Sequence, residues 1–112
     1  MHTSEYAPLG VLEEQVIVAV IRTRDDAYGM NVRRELEEVT GRPFAIGAVY
    51  ATLDRLEAKG LLTSSRVASG APTRRRFALS RAGAQALADT HGIRARLWSG
   101  IDVHRVLTLS VV

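Results

Sequence analysis

Two apolar periods meet in the segment Ile46-Gly47-Ala48-Val49-Tyr50-Ala51-Thr52-Leu53-Asp54-Arg55-Leu56-Glu57-Ala58-Lys59-Gly60-Leu61-Leu62-Thr63-Ser64-Ser65-Arg66-Val67, which is answered later by Arg74-Arg75-Arg76-Phe77-Ala78-Leu79. Up to Gly60 the large apolar residues Ile46, Val49, Leu53 and Leu56 recur at helical spacing, which predicts a helix from about Ile46 to Lys59 with Gly60 as its C-cap. Its opposite face is centred on Gly47, Ala48, Ala51, Arg55 and Lys59, with Thr52 and Asp54 at the edges. Past Gly60 the period drops to two. Leu61, Thr63, Ser65 and Val67 alternate with Leu62, Ser64 and Arg66, as in a strand. Ala68–Thr73 holds Ser69, Gly70 and Pro72 and reads as a turn or loop. Arg74–Leu79 returns as a second strand, with Arg75, Phe77 and Leu79 on one side and Arg74, Arg76 and Ala78 on the other. The outcome is a helix followed by a hairpin with a basic arm.

Toward the N-terminus, Gly41 and Pro43 stop an earlier helix that carries Tyr28, Val32, Leu36 and Val39 on one face. Asp25 and Asp26 are its expected N-cap. Gly29 in its first turn costs up to about 1 kcal/mol relative to alanine, which implies close packing of a neighbouring helix. A first helix from Leu9 to about Thr23 shows Leu9, Leu12, Val16, Ala19 and Val20 on one face and Val11, Val18 and Ile21 on another. Two apolar faces need two surfaces, the chain's own core and a partner chain. Toward the C-terminus, Ser80 is a natural N-cap for a helix containing Ala84, Leu87, Ala88, Ala95, Trp98 and Ile101. Gly83 stands where a capping-box Glu would sit, and Gly92 weakens the interior. Asp102–Val112 shows no period and receives no assignment. Three helices, a hairpin and a helix make a mainly α fold with a small β-hairpin. That order is a winged helix-turn-helix with an added C-terminal helix.

Composition narrows the function. The 112 residues include no cysteine, which excludes a disulfide scaffold, a thiolate zinc site and a cysteine nucleophile. His2, His91 and His104 lack metal-ligand spacing, so no metal is expected. No Ser-His-Asp set, paired carboxylates or phosphate loop is visible, so neither an enzyme nor a cofactor is expected. The longest apolar run, Val16–Ile21, falls far short of the roughly 18 residues that span a bilayer. The N-terminus lacks the basic-then-apolar layout of a signal peptide, which leaves the cytoplasm as the expected location. Residues 1–60 carry seven basic and ten acidic groups, net −3, and residues 61–112 eight basic and two acidic, net +6. Fourteen of the fifteen cationic side chains are arginine. Arginine forks suit phosphates and guanine edges, although a GC-rich genome produces the same bias.

The segments Leu9-Gly10-Val11-Leu12-Glu13, Ala27-Tyr28-Gly29, Gly47-Ala48-Val49-Tyr50, Leu53-Asp54-Arg55-Leu56-Glu57-Ala58-Lys59-Gly60-Leu61-Leu62 and Arg74-Arg75-Arg76-Phe77-Ala78-Leu79-Ser80-Arg81-Ala82-Gly83 together resemble the PadR family of bacterial transcriptional regulators. The likeness covers roughly residues 9–100 and implies a short member with a single C-terminal helix. It implies a DNA-binding winged helix over residues 1–80, and a dimerisation helix and tail over 81–112. It further implies a homodimer through the first and last helices, double-stranded operator DNA as partner, and a small hydrophobic or aromatic effector near the dimer interface. The tip Ser69-Gly70-Ala71-Pro72 departs from the Gly-Gly-Arg-like run of relatives, which weakens the case for a minor-groove contact there.

On that footing the third helix is the expected recognition helix. Gly47, Ala48 and Ala51 would allow close approach to the major groove, with Thr52 beside them. Arg55 would reach a phosphate or guanine edge, and Tyr50 a phosphate. Against this stands a solvated face with Arg55 paired to Asp54 or Glu57. Arg66, Arg74 and Arg76 would flank phosphates, with Arg42 a weaker backbone contact and Arg75 a candidate structural residue. Tyr28 and Phe77 read as core. Trp98 is either an effector wall or plain dimer packing. The expected function is a homodimeric repressor on an inverted-repeat operator. The rival is a protein-interaction or ligand-binding winged helix that does not read DNA, favoured by the neutral recognition face and the acidic first half.

Overall fold

The computed structural model describes residues 8–67 and 74–109. Its elements in chain order are α1 (Val11–Thr23), a short 3-10 turn (Arg24–Asp26), α2 (Gly29–Thr40), α3 (Ile46–Ala58), β1 (Leu62–Val67), β2 (Arg74–Leu79), α4 (Arg81–Trp98) and α5 (Val103–Leu109). This is the winged-helix order that the two apolar periods predict. The Ser69–Pro72 tip, for which a departure from the usual minor-groove contact is expected, lies outside the described residues.

The core forms where α1, α2, α3 and the hairpin converge. Val16, Ile17, Ala19 and Val20 of α1 meet Val32 and Leu36 of α2, Val49, Leu53 and Leu56 of α3, Leu62 of β1 and Phe77 of β2, all buried. The second apolar stripe of α1, Val11, Val18 and Ile21, stays exposed. Leu9, Leu12 and Leu87 pack against the core from its rim. The strands pair antiparallel from Leu62 opposite Leu79 to Val67 opposite Arg74.

Local chemistry accounts for most boundaries. Helix α1 starts at Val11, not Leu9, because Gly10 is the N-cap and its N–H donates to the Glu13 carboxylate. Helix α3 closes with Gly60 at φ 76°, the left-handed position that glycine tolerates. The Gly60 N–H donates to the Glu57 carbonyl and the Leu61 N–H to the Leu56 carbonyl, a Schellman pair that turns the chain into β1. The Ser80 hydroxyl caps α4 by accepting from the Gly83 N–H.

Four expectations need correction. Asp25 and Asp26 do not cap α2: they lie in the 3-10 turn, and Tyr28 is the N-cap residue. The cause is non-local. The Ala27 carbonyl accepts from the Phe77 N–H, and Tyr28, with extended backbone, bridges to Arg76, so residues 27–28 are tied to β2 before the helix begins. Tyr28 is accordingly half-buried rather than core. Helix α4 stops at Trp98, so Ile101 falls outside it. The unassigned tail contains α5, whose His104 N–H donates to the Asp102 carboxylate at 2.9 Å, an N-cap bond.

Candidate nucleic-acid interface

Helix α3 buries Val49, Leu53 and Leu56, and this turns the residues between them outward. Gly47, Ala48, Ala51 and Arg55 are exposed along that face, with Lys59 beyond its last turn. Thr52 does not join them. It is 1% exposed, its hydroxyl donates to the Ala48 carbonyl one turn back at 2.8 Å, and it accepts from the Arg55 guanidinium at 3.3 Å. With its hydroxyl satisfied inside the helix, Thr52 packs as a small apolar residue, so its expected place at the edge of the outward face is corrected.

Gly47 stands in open space. A Cβ added there would meet nothing within 4 Å, and its φ is not in the left-handed region. No contact within the described residues requires a glycine at that position. Gly29 is the opposite case, because a Cβ there would run into the Tyr50 ring. That is the close helix–helix approach expected from its cost, and it lays the partly exposed Tyr50 side chain over the start of α2.

The cations divide into held and available groups. Arg75 is held: its guanidinium donates to Asp54 and to Glu57 (3.1 Å to Oε1), and lies 5.0 Å from the Phe77 ring centre. The Ser64 hydroxyl donates to the same Glu57 carboxylate. The hydrogen bond to Asp54 is the main reason that Arg75 is pushed above its ordinary value, with burial opposing. These contacts clamp both strands to α3, which makes Arg75 structural. Arg66, Arg74, Arg76 and Arg42 are exposed. The register sets Arg66 opposite Arg75, whereas Arg76 faces Ser65 and Arg74 faces Val67. Opposed residues share a face of a ladder, so Arg66 lies on one side of the hairpin and Arg74 and Arg76 on the other. The basic arm is therefore two-sided.

Arg74 reaches back over the Tyr28 ring at 4.3 Å, a stacking distance for a guanidinium on an aromatic face. Tyr28, Met30, Asn31, Tyr50, Arg74 and Arg75 line a cleft of about 230 Å³ between the start of α2, α3 and the hairpin. Sequence spacing missed Tyr28 and Asn31 as members of this surface. The available signal was the position of Tyr28 next to Gly29, where close packing was already expected.

Arg55 pairs with neither Asp54 nor Glu57. Its Nε lies 3.4 Å from Oε2 of Glu13 on α1, and Lys59 Nζ lies 2.8 Å from the same oxygen. The hydrogen bond from Lys59 holds the Glu13 carboxyl below its ordinary value, helped by the Gly10 N–H and Arg55 and opposed by burial. A lowered carboxyl value in the folded state means stability that is present above the ordinary value of 4.5 and lost as pH falls through the lowered one. Thermal melts of wild type and Glu13→Gln should therefore differ at pH 6 and converge only as the pH falls through the lowered Glu13 value.

Trp98 is half-exposed at the far end of α4. With His91, Arg94, Ala95 and Val103 it lines a shallow pocket of about 330 Å³, well away from α3 in the fold. A second depression of about 240 Å³ runs between α1 and α2, lined by Val11, Val18, Leu36 and Val39 among others. Leu97 of α4 is exposed as well. No helix among the described residues is long and apolar enough to cross a membrane.

The PadR-like family of transcriptional regulators matches residues 17–89, from within α1 to the middle of α4. The chain belongs to this family. The PadR-like family comprises transcription regulators rather than enzymes, and its members bind DNA. Among solved structures, a PadR family regulator from Eggerthella lenta DSM 2243 is 27% identical, with a TM-score of 0.67 over 87% of this chain and 88% of that one. RosR from H. salinarum is 25% identical, with a TM-score of 0.65 over 92% of this chain and 89% of that one. BpsR from Bordetella bronchiseptica, whose DNA binding is regulated by 6-hydroxynicotinic acid, shares the fold at 16% identity, with a TM-score of 0.63 over 97% of this chain and 80% of that one. No curated protein sequence matches the PadR-like chain.

Proposed function

We propose that this PadR-like chain is a cytoplasmic, homodimeric repressor that reads an inverted-repeat operator through α3 and is released by a small hydrophobic or aromatic effector. Residues 1–80 would carry the DNA contacts, and residues 81–112 with α1 would build the dimer. Paired recognition helices in successive major grooves require half-sites about 10 bp apart. Repression then follows from excluding polymerase. Release requires an effector with higher affinity for the dimer geometry that does not fit DNA.

The observation that carries this reading is the open ground around Gly47. A glycine in a helix is less favourable than alanine by up to about 1 kcal/mol, and nothing among the described residues needs it here. It sits with Ala48 and Ala51 on the uncharged first half of the outward face of α3, which Arg55 continues, while Arg66, Arg74 and Arg76 are exposed on the hairpin. A smooth helix start in a domain that also exposes cations suits a groove bordered by phosphates. Support for the dimer comes from the exposed Val11, Val18 and Ile21 of α1 and Leu97 and Trp98 of α4, apolar surface that a partner chain would cover. Support for an effector is the Trp98 pocket, together with the regulated DNA binding of BpsR.

Gly47→Ala separates stability from binding. The variant should be more stable by up to about 1 kcal/mol in denaturant titration, because the added methyl meets nothing. Its affinity for a duplex should nonetheless fall, because the methyl enters the gap between helix and base edges. A gel shift against the region upstream of the coding sequence, repeated over a salt series, tests the wider proposal. A shifted band that weakens steeply with salt is expected. A band absent at low salt would favour the rival reading, in which the neutral face docks a protein.

A further inference from the structure

The recognition helix presents two cations near its C-terminal end, Arg55 and Lys59, and both are met by one carboxylate from another helix. Glu13 Oε2 lies 2.8 Å from Lys59 Nζ and 3.4 Å from Arg55 Nε. The side chain of Glu13 is 12% exposed, while those of Arg55 and Lys59 are about half exposed at 51% and 50%. The other Glu13 oxygen accepts from the Gly10 N–H at 3.0 Å, so the carboxylate is anchored by its own helix start. A fixed, shielded anion thus faces two cations whose side chains retain access to solvent.

We propose that Glu13 is an intramolecular counter-ion of the recognition helix, occupying Arg55 and Lys59 in the free protein so that DNA phosphates must compete for them. The proposal rests on the reading of α3 as the DNA-facing helix and adds a positioning residue outside that helix. Its consequence is selectivity. A cation already neutralised gains little from any passing phosphate, so sequence-independent affinity stays low. A well-fitted groove supplies enough further contacts to draw Arg55 and Lys59 away. Base-edge contacts then weigh more in the total, and non-specific attraction weighs less.

The start of α1 also connects this device to α4. The next residue, Glu14, pairs with Arg94 of α4, and the Leu9 N–H donates to the Thr90 hydroxyl of α4 at 3.0 Å. Adjacent carboxylates on one turn therefore bind the recognition helix on one side and α4 on the other.

The test compares wild type, Glu13→Gln and Glu14→Gln for binding to a random-sequence duplex by fluorescence anisotropy, over about 50 to 200 mM salt. Glutamine still accepts from the Gly10 N–H, so the cap survives and only the charge is lost. Both variants gain the same net charge, but only Glu13→Gln frees the α3 cations. Glu13→Gln should bind the random duplex more tightly at low salt. Its log–log salt slope should be steeper by up to about 2, which means that it loses roughly tenfold more affinity than wild type across that range. Glu14→Gln should keep the wild-type slope. Equal slopes for wild type and Glu13→Gln, or an equal steepening in both variants, would overturn the proposal and leave the DNA reading intact. Absence of wild-type binding at 50 mM salt would overturn both.

Discussion

Changing Arg66, Arg74 and Arg76 together to alanine is expected to lower operator affinity on the order of 10²- to 10³-fold at about 0.1 M salt, and to reduce the log–log salt slope by roughly 3. Each cation that neutralises a phosphate releases about 0.9 of a counterion, so three lost contacts account for both figures. All three side chains are exposed, and none holds the fold in the way that Arg75 does through Asp54 and Glu57. The thermal midpoint of the triple variant should therefore stay close to wild type, apart from the loss of the Arg74–Tyr28 stacking. The two-sided hairpin refines the expectation. Arg74 and Arg76 share a face, so the pair should behave as a unit, while Arg66 on the other face should contribute independently. Anisotropy titrations of the single, double and triple variants measure these terms. A triple variant with the wild-type salt slope would remove the hairpin from the interface.

Gly83→Ala should damage the fold more than any exposed substitution named above. A Cβ at residue 83 would overlap the Leu61 carbonyl oxygen and crowd Leu79 Cδ1, and the first of these is backbone. The carbonyl has no room to yield, because it accepts the Ser80 N–H and lies in the connection from α3 to β1. Alanine would ordinarily improve a helix by up to about 1 kcal/mol. Here overpacking against main chain outweighs that gain, with a net loss of about 3 kcal/mol and a thermal midpoint lower by roughly 10 to 15 °C. Calorimetry or thermal circular dichroism reads the effect directly. The same glycine occupies the place where a capping-box Glu would sit, so close approach of α4 to the Leu61 backbone took precedence over a second capping bond.

The fold was legible where local chemistry decides it. The change of period at Gly60, the alternation in β2 and the cap at Ser80 are all short-range, and they mark α3, the hairpin and the start of α4. The start of α2 was not legible, because Ala27 and Tyr28 are drawn into pairing with β2 some fifty residues later. Two aspartates look like a cap only while that pairing is unknown. Helix α5 had one cue, Asp102 ahead of Val103, but too few turns to show a period.

The candidate interface divides in the same way. Gly47, Ala48, Ala51 and Arg55 follow from helical spacing alone, and the exposure of Arg74 and Arg76 follows from the alternation of β2. Thr52 has the same spacing, yet its hydroxyl satisfies itself on the Ala48 carbonyl, and burial follows. The partners of Arg55 are invisible to local reasoning. Asp54 and Glu57 are nearer in sequence, but Arg75 occupies both, which leaves Arg55 to Glu13 on α1.

In the proposed function α3 and the hairpin, not the α1–α4 side, meet DNA. Amide chemical-shift mapping of the labelled protein against an operator duplex selected from a random pool tests it residue by residue. The largest shifts are expected at Gly47, Ala48, Ala51, Arg55 and Arg74–Arg76, with small changes at Val11, Val18 and Trp98. Shifts concentrated on α1 and α4, or none on α3 when the duplex is saturating, would contradict it.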